Sequence, residues 1–293
     1  MSRLSNNNSR NRENRNDGRK KFEVVKKRNT QIGRSNDFDL MLFKEAVKII
    51  EARVKRDFYE IENLQSSNSS TIRNFTIRTI EYIKYTLVKF FKNKRNIYNI
   101  IIKGEEDKQE INKNYPTIII EPLCGILNFM HAVPYFCTTI SKKEYTDEND
   151  EGQITMGVVN NYSSQELFCV EKSKGAFVDS NVNNLRLRVS NRIELNNSIV
   201  AVKLPNNNEL SRNVIKKCNF PIKITNCSML DMIYVTYGKY DCLVAYNTKL
   251  INVELGSLIV KEAGGLCEIK ENSVIVSNSS LFNKITNLFV VNE

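Results

Sequence analysis

Apolar positions recur at two different spacings along this chain, and the change from one to the other divides it. From Asp37 to about Leu64, Phe38, Leu40, Leu42, Phe43, Ala46, Ile49 and Ile50 return at mixed three- and four-residue steps between charges, which predicts an amphipathic helix. The run Gln65 to Ser70 is small and polar and predicts a loop. A second helix is predicted from about Ile72 to Lys92, with Ser69, Ser70 and Thr71 as candidate N-caps. Its stripe is Ile77, Ile80, Ile83, Leu87, Phe90 and Phe91. Short β-branched runs then replace the helical period. Ile97–Ile102, Thr117–Ile120, Tyr135–Ile140, Ile154–Val159 and Glu166–Glu171 read as strands, and Val189–Val202 contains another. Later, helices near Glu209–Cys218, Leu230–Tyr237, Val253–Ala263 and Leu281–Val290 alternate with a strand at Cys242–Ala245. Gly264-Gly265 supplies a left-handed stop to the third of these helices. Helices first, strands in the middle and alternation at the end predict an α/β (layered α+β) fold.

Composition narrows the class. The 293 residues are enough for a substantial core, as one large domain or two smaller ones. No apolar run approaches the ~18 residues of a membrane span, so no membrane association is expected. Seven scattered cysteines without a CxxC pair suit reduced thiols and a cytoplasmic protein better than a disulfide framework.

The net charge of +10 is unevenly placed. Residues 1–36 hold eleven Lys or Arg against three Asp or Glu, which accounts for eight of those ten charges. This Asn- and Arg-rich arm is too poor in aliphatic residues to offset ordering entropy and is expected to be disordered, with a folded domain over 37–293. Three readings of the arm stay open. It is a solvated tail, a flexible arm that attracts RNA or DNA phosphates, or a presequence. Glu13, Asp17, Glu23 and the lack of an apolar face weigh against the last.

Three segments and one short loop carry a family resemblance. EPLCGILNFMHAVPYFCTTIS, Glu121 to Ser141, sets Pro122, Gly125, Asn128, Phe129, Pro134 and Phe136 at fixed spacing. It resembles the signature D-P-[IL]-D-G-T-x-N-F-x-x-x-x-P-x-F-x-x-S-I of the inositol monophosphatase family. Leu230 to Gly265 resembles the family's C-terminal motif without a gap, through Asp231, Tyr234, Val235, Gly238, Asp241, Gly256 and Glu262-Ala263-Gly264-Gly265. Glu166 to Ser180 resembles its E-L-F-x-A-x-x-G-x-G-A-F-x-N hairpin, and Gly104-Glu105-Glu106 its short G-E-E loop. The resemblance covers roughly residues 38–290. It implies an αβαβα layering in one domain with two halves, and a homodimer.

The resemblance also implies a chemistry. Family members cleave phosphomonoesters with Mg²⁺, a hard cation that wants several converging oxygen ligands. Two or more such ions activate water and stabilise the leaving alkoxide. Carried over residue by residue, the G-E-E ligand is Glu105 and the first Asp of the signature is Glu121. The backbone carbonyl ligand falls on Leu123. The second Asp position is Cys124, a soft ligand, and the water-orienting Thr position is Ile126, which has no hydroxyl. The family's W-D pair is Ile251-Asn252, so a neutral amide replaces a ligand. On the substrate side, G-S-A-A falls on Asn226-Cys227-Ser228-Met229, and a Glu that contacts an inositol hydroxyl falls on Ala245. A further metal-linked region, T-x-x-D-x-x-x-E, ends at Glu81 with its Asp on Ile77.

Two of four central carboxylates thus remain, enough for one residual Mg²⁺ at Glu105, Glu121 and the Leu123 carbonyl. Other features have plainer readings. His131 is the single histidine and reads as a loop residue. Cys124 beside Glu121 has no histidine to complete a Zn²⁺ site. Glu105-Glu106-Asp107 is equally at home as a solvated acidic turn. The leading expectation is a family scaffold that is inactive or severely impaired as a phosphatase. It would be retained for interaction with RNA or a transcription-related protein through residues 1–36, as some bacterial relatives partner antitermination factors. The alternative is a Mg²⁺-dependent phosphatase of inositol or sugar phosphates using one surviving metal.

Overall fold

The computed structural model describes residues 38–94, 97–106, 111–146, 151–180, 184–248, 253–270 and 273–289. The basic arm and the Ile251-Asn252 pair lie outside the described residues. Helix α1 is Phe38–Asn63 and α2 is Ser69–Lys92. The N-cap of α2 is Asn68, one residue before the expected Ser/Thr candidates. Its side-chain oxygen accepts from the backbone N–H of Thr71 at 2.9 Å, while the hydroxyls of Ser70 and Thr71 donate to the same atom.

Seven strands then form the first sheet in chain order: β1 Asn99–Ile102, β2 Thr117–Cys124, β3 Cys137–Glu144, β4 Gln153–Asn161, β5 Glu166–Glu171, β6 Gly175–Ser180 and β7 Asn184–Arg186. The β1–β2 pair is parallel and the rest is an antiparallel meander. A short helix, α3 Ile126–Met130, sits between β2 and β3.

The second sheet has the order β11-β12-β10-β8-β9, from β8 Val200–Lys203, β9 Ile222–Lys223, β10 Cys242–Tyr246, β11 Leu266–Lys270 and β12 Ser273–Ser277. Strands β8, β9 and β10 run parallel, and β12 is antiparallel to β10 and β11. Helices α4 Asn208–Lys216, α5 Ser228–Thr236, α6 Glu254–Glu262 and α7 Ser279–Phe289 complete the set among the described residues. The pattern of Val189–Val202 yields a strand only at its end, because the preceding stretch is irregular with a 3₁₀ turn at Leu195–Asn197.

Strand periodicity assigns the layers. Ile118 and Ile120 join Leu40, Phe43, Ile50, Ile83 and Leu87 beneath α1 and α2. Ile119, between them, points the other way, toward Leu230, Ile233, Leu255 and Ile259 of α5 and α6. The same two helices turn Met232, Val235 and Val260 toward Ala201, Leu243 and Val276 of the second sheet. Val200, Val202 and Val244 face outward to Val214, Leu281 and Ile285 of α4 and α7. The order is therefore helices, sheet, helices, sheet, helices, the αβαβα layering that the resemblance implies. Because central strands such as β2 and β10 are covered on two faces, their sequences read as continuous apolar runs rather than alternations. Residues Asp37–Glu293 form one compact unit.

Candidate functional site

The carboxyl ends of parallel strands are where open α/β sheets place ligands, so the β1–β2 pair sets the first frame. Its register ends with Ile102 beside Ile120. The next residues, Lys103 and Glu121, therefore stand side by side, and the backbone N–H of Lys103 donates to Ile120 O at 2.9 Å. The Lys103 ammonium donates to Glu121 Oε2 at 2.8 Å, with only 7% of the lysine side chain exposed. The chain then turns at Gly104, whose φ of +87° favours glycine. Glu106 folds back to accept from the Gly104 N–H at 2.7 Å. Glu105 meets Lys84 of α2, whose ammonium donates to Glu105 Oε1 at 2.5 Å and Glu81 Oε1 at 2.7 Å. Burial alone would lower the Lys84 pKa, but the bonds to Glu105 and Glu81 outweigh it and hold it above the ordinary lysine value.

The signature segment follows. The β2–β3 register shifts between Glu121 and Cys124, across Pro122 and Leu123. Such irregularities re-aim a strand near a site. Here Thr138 Oγ1 donates to Pro122 O at 2.6 Å and Tyr162 donates to Thr138 Oγ1 at 2.8 Å, which fixes the kink. Leu123 is buried. Cys124 is opposite Cys137, and Cys124, Cys137 and Cys227 belong to one buried cluster. Burial, with Glu121 and Cys227 adding to it, pushes the Cys124 pKa up to about 12 against the opposing Cys137 hydrogen bond and Lys103 charge. The thiol is neutral at physiological pH. Ile126 and Leu127 open α3 with 45% and 52% of their surface exposed, so hydrocarbon faces solvent at the water-orienting position.

Gly125 brings the second motif against the first. Its φ is +79°, and a Cβ there would lie 2.8 Å from Tyr135 O and 3.3 Å from Cys227 Sγ. Asn128 bridges the same gap through its side-chain amide, donating to Tyr135 O and Thr225 O, each at 2.8 Å. Tyr135 donates to Asp231 Oδ1 at 2.9 Å. Asp231 also accepts from Thr225 Oγ1, and its burial raises its pKa to about 6 against those hydrogen bonds. The buried Asp241 accepts from Ile199 N, Ser190 Oγ and Arg192 at 2.8, 2.5 and 2.9 Å. These two motif carboxylates tie loops together. Phe129 and Phe136 are core residues in contact with Phe58, at 5.7 and 4.8 Å between ring centroids.

The substrate-side positions separate. Cys227 is buried at the start of α5 beside Ser228 and lies against the signature. Ala245 is fully buried on β10, in register with Lys203 of β8. Asn252 falls outside the described residues. His131 is exposed at the end of α3, its backbone N–H bonded to Leu127 O and Asn128 O. No group of three or more His, Cys, Asp or Glu among the described residues is placed to hold a metal ion. No helix among them is long and apolar enough to cross a membrane. Sequence reasoning missed Lys84 and Lys103. The one signal available was a lysine ending the apolar run Asn99–Ile102, and it gains meaning only once β1 and β2 are paired.

Comparison with known proteins agrees with this frame. The profile of the inositol monophosphatase family matches residues 36–284. An inositol-1-monophosphatase of Caulobacter vibrioides is 28% identical over 263 residues, 82% of this chain and 96% of that protein. The Nus factor SuhB of Buchnera aphidicola is 30% identical over 210 residues, 69% of this chain and 72% of that one. Among solved structures, the extragenic suppressor protein suhB of Bartonella henselae superposes with a TM-score of 0.68 at 23% identity, covering 87% of this chain and 99% of its own. With the layering, the three motifs and the profile all in agreement, the chain belongs to the inositol monophosphatase family.

Proposed function

We propose that this chain is an inositol-monophosphatase scaffold with a degraded metal site, impaired as a phosphatase and retained for interaction with the transcription machinery. One observation carries the reading: both carboxylates left at the family's ligand positions are held by lysines, Glu105 by Lys84 and Glu121 by Lys103. Magnesium needs several unshared hard oxygens at near-octahedral geometry. Here the neighbouring side chains are a neutral thiol at Cys124 and hydrocarbon at Ile126, and two ammonium groups stand where a cation's charge is wanted. The residues present do not fit Mg²⁺.

The interaction half of the proposal draws on the Buchnera relative, a Nus factor at 30% identity. It draws also on residues 1–36, whose clustered Arg and Lys suit release of counterions from RNA phosphates. The test has two arms. A panel of phosphomonoesters with excess Mg²⁺ is expected to show no turnover above background. Clear turnover that disappears on Glu105→Gln would overturn the reading. RNA binding is expected to weaken steeply with salt in the full chain, and its salt slope to flatten when residues 1–36 are deleted. Absence of RNA binding at low salt would remove the arm from the proposal.

A further inference from the structure

We propose that the carboxyl edge of the β8–β10 pair is a binding site for a small oxyanion of the phosphate class, held by Lys203 and Lys223. The two strands run parallel, with Lys203 abreast of Ala245. Their connections leave on opposite sides of the sheet. Strand β8 leads to α4, whose Val214 packs with Val200 and Val202 on the outer face. Strand β10 leads to α6, whose Val260 packs with Ala201 and Leu243 on the inner face. Neighbouring connections that diverge in this way leave a crevice at the strand ends, where open α/β sheets seat ligands. The site uses none of the family's four central ligand positions, and it stands whether or not the chain turns over phosphomonoesters.

Register places two lysines on one face of this edge. Alternation along β8 turns Val200 and Val202 outward and Ala201 and Lys203 inward. Lys223 of β9 is in register with Ala201, and its neighbour Ile222 packs with the outer layer, so Lys223 shares the inner face with Lys203. The two are diagonal neighbours on adjacent strands, about 7–8 Å apart at the backbone, a spacing from which two long side chains reach one oxyanion. Lys203 donates to the Asn247 carbonyl at 3.1 Å and to the Thr248 hydroxyl at 3.3 Å, and an ammonium has a third N–H to give.

What this edge lacks is a countercharge. Elsewhere the protein matches its buried and part-buried lysines with acids. Lys44 meets Asp179, Lys84 meets Glu105 and Lys142 meets Asp39, and each of the three has its pKa held above the ordinary lysine value. Lys203 has no carboxylate partner among the described residues, and burial lowers its pKa unopposed. Residues 249–252, which follow Thr248 in the sequence, are Lys, Leu, Ile and Asn and add no acid. Ala245, to which the resemblance assigns a Glu that touches an inositol hydroxyl, offers only a methyl group beside Lys203. The first-turn acids of the two helices over this face are engaged elsewhere, Asp231 with Tyr135 and Thr225 and Glu254 with Lys143. A cation that has lost part of its hydration without gaining a countercharge is completed by an anionic ligand. The edge that the resemblance assigns to a neutral hydroxyl is here suited to a negative group.

The experiment titrates inorganic phosphate into the full-length chain by calorimetry, with chloride holding the ionic strength constant, and follows thermal unfolding in the same buffers. The wild-type chain is expected to bind phosphate saturably and to melt higher in its presence. Lys203→Met is expected to weaken binding at least about tenfold and Lys223→Met about threefold. Lys203→Met should also lose most of the phosphate-dependent rise in midpoint. Lys203→Arg keeps the charge and is expected to stay within about threefold of wild type. Residues 1–36 are common to all these chains, so their own attraction for anions cancels in the comparison. Absence of saturable binding by the wild-type chain would overturn the proposal, as would equal affinity in Lys203→Met. Lys223 is exposed, so Lys223→Met still tests the site should Lys203→Met fail to fold. Loss of affinity for an RNA oligomer without terminal phosphates, with phosphate binding unchanged, would also overturn the proposal and assign the two lysines to a nucleic-acid backbone.

Discussion

Each sheet contains a parallel strand pair whose carboxyl end carries a lysine, and the two lysines meet different surroundings. In the first sheet Lys103 follows β1 and finds Glu121 next to it on β2. In the second, Lys203 closes β8 and its register partner on β10 is Ala245. Lys203 is left with the Asn247 carbonyl at 3.1 Å and the Thr248 hydroxyl at 3.3 Å, with no carboxylate partner among the described residues. The same backbone geometry thus yields a satisfied ion pair in one place and a partly desolvated, uncompensated cation in the other. What decides between them is a single side chain on the neighbouring strand. The parallel edge itself is only a frame, which fits the view that function resides in side chains grafted on a fold.

Gly125→Ala tests the frame and should have the largest effect. It sets a side chain at positive φ and drives a Cβ to 2.8 Å from the Tyr135 carbonyl and 3.3 Å from Cys227. We expect a loss of about 3–5 kcal/mol in urea unfolding, strain and overpacking together. A loss below about 1 kcal/mol would mean that the first-sheet edge and α5 are not closely joined, and the two edges could no longer be treated as fixed frames.

The second test sets the lysines against each other. Glu121→Ala strands the buried Lys103 ammonium and is expected to cost about 2–4 kcal/mol. Lys203→Met removes a cation that has no carboxylate partner among the described residues and should change stability by less than about 1 kcal/mol, in either direction. Equal costs in the two variants would erase the distinction between the edges.

Much of the frame was legible in the sequence, and most of the site's electrostatics was not. The helical stripes of α1 and α2, the central strands and the stop at Gly264 follow from periodicity and turn chemistry, which are local. The hairpin of β11 and β12 went unread because Leu266–Lys270 is an edge strand largely exposed to solvent and shows no clean apolar alternation. Strand β2 was expected to stop at Ile120. It continues through Pro122 because the ladder shifts register there instead of demanding an N–H from proline. Cys124, Ile126 and Ala245 were visible as departures from a motif. The pairing of Lys103 with Glu121 was invisible, since it depends on which residues parallel strands bring abreast across eighteen positions of chain. Lys84 with Glu105 depends in the same way on where α2 packs. Motif reading finds what a position has lost; only register shows what has moved in beside it.

The smallest effect separates the two edges by sign. Lys84, beside the first edge, has its pKa raised above the ordinary 10.5, because bonds to Glu105 and Glu81 outweigh burial. Its contribution is fully present below that ordinary value and is lost as pH rises through the higher folded-state value. Lys203 has its pKa lowered by burial. The folded state therefore releases that proton before the unfolded chain does, and stability rises as pH climbs from the folded-state value toward 10.5. In alkaline unfolding series, Lys84→Met should remove a downward slope above about pH 10.5, and Lys203→Met an upward slope below it. Each is bounded by about 1.4 kcal/mol per pH unit, the value for one full proton. Slopes of the same sign would show that Lys203 has a countercharge after all. The contrast would then come down to how deeply each lysine is buried, with the identity of its neighbour irrelevant.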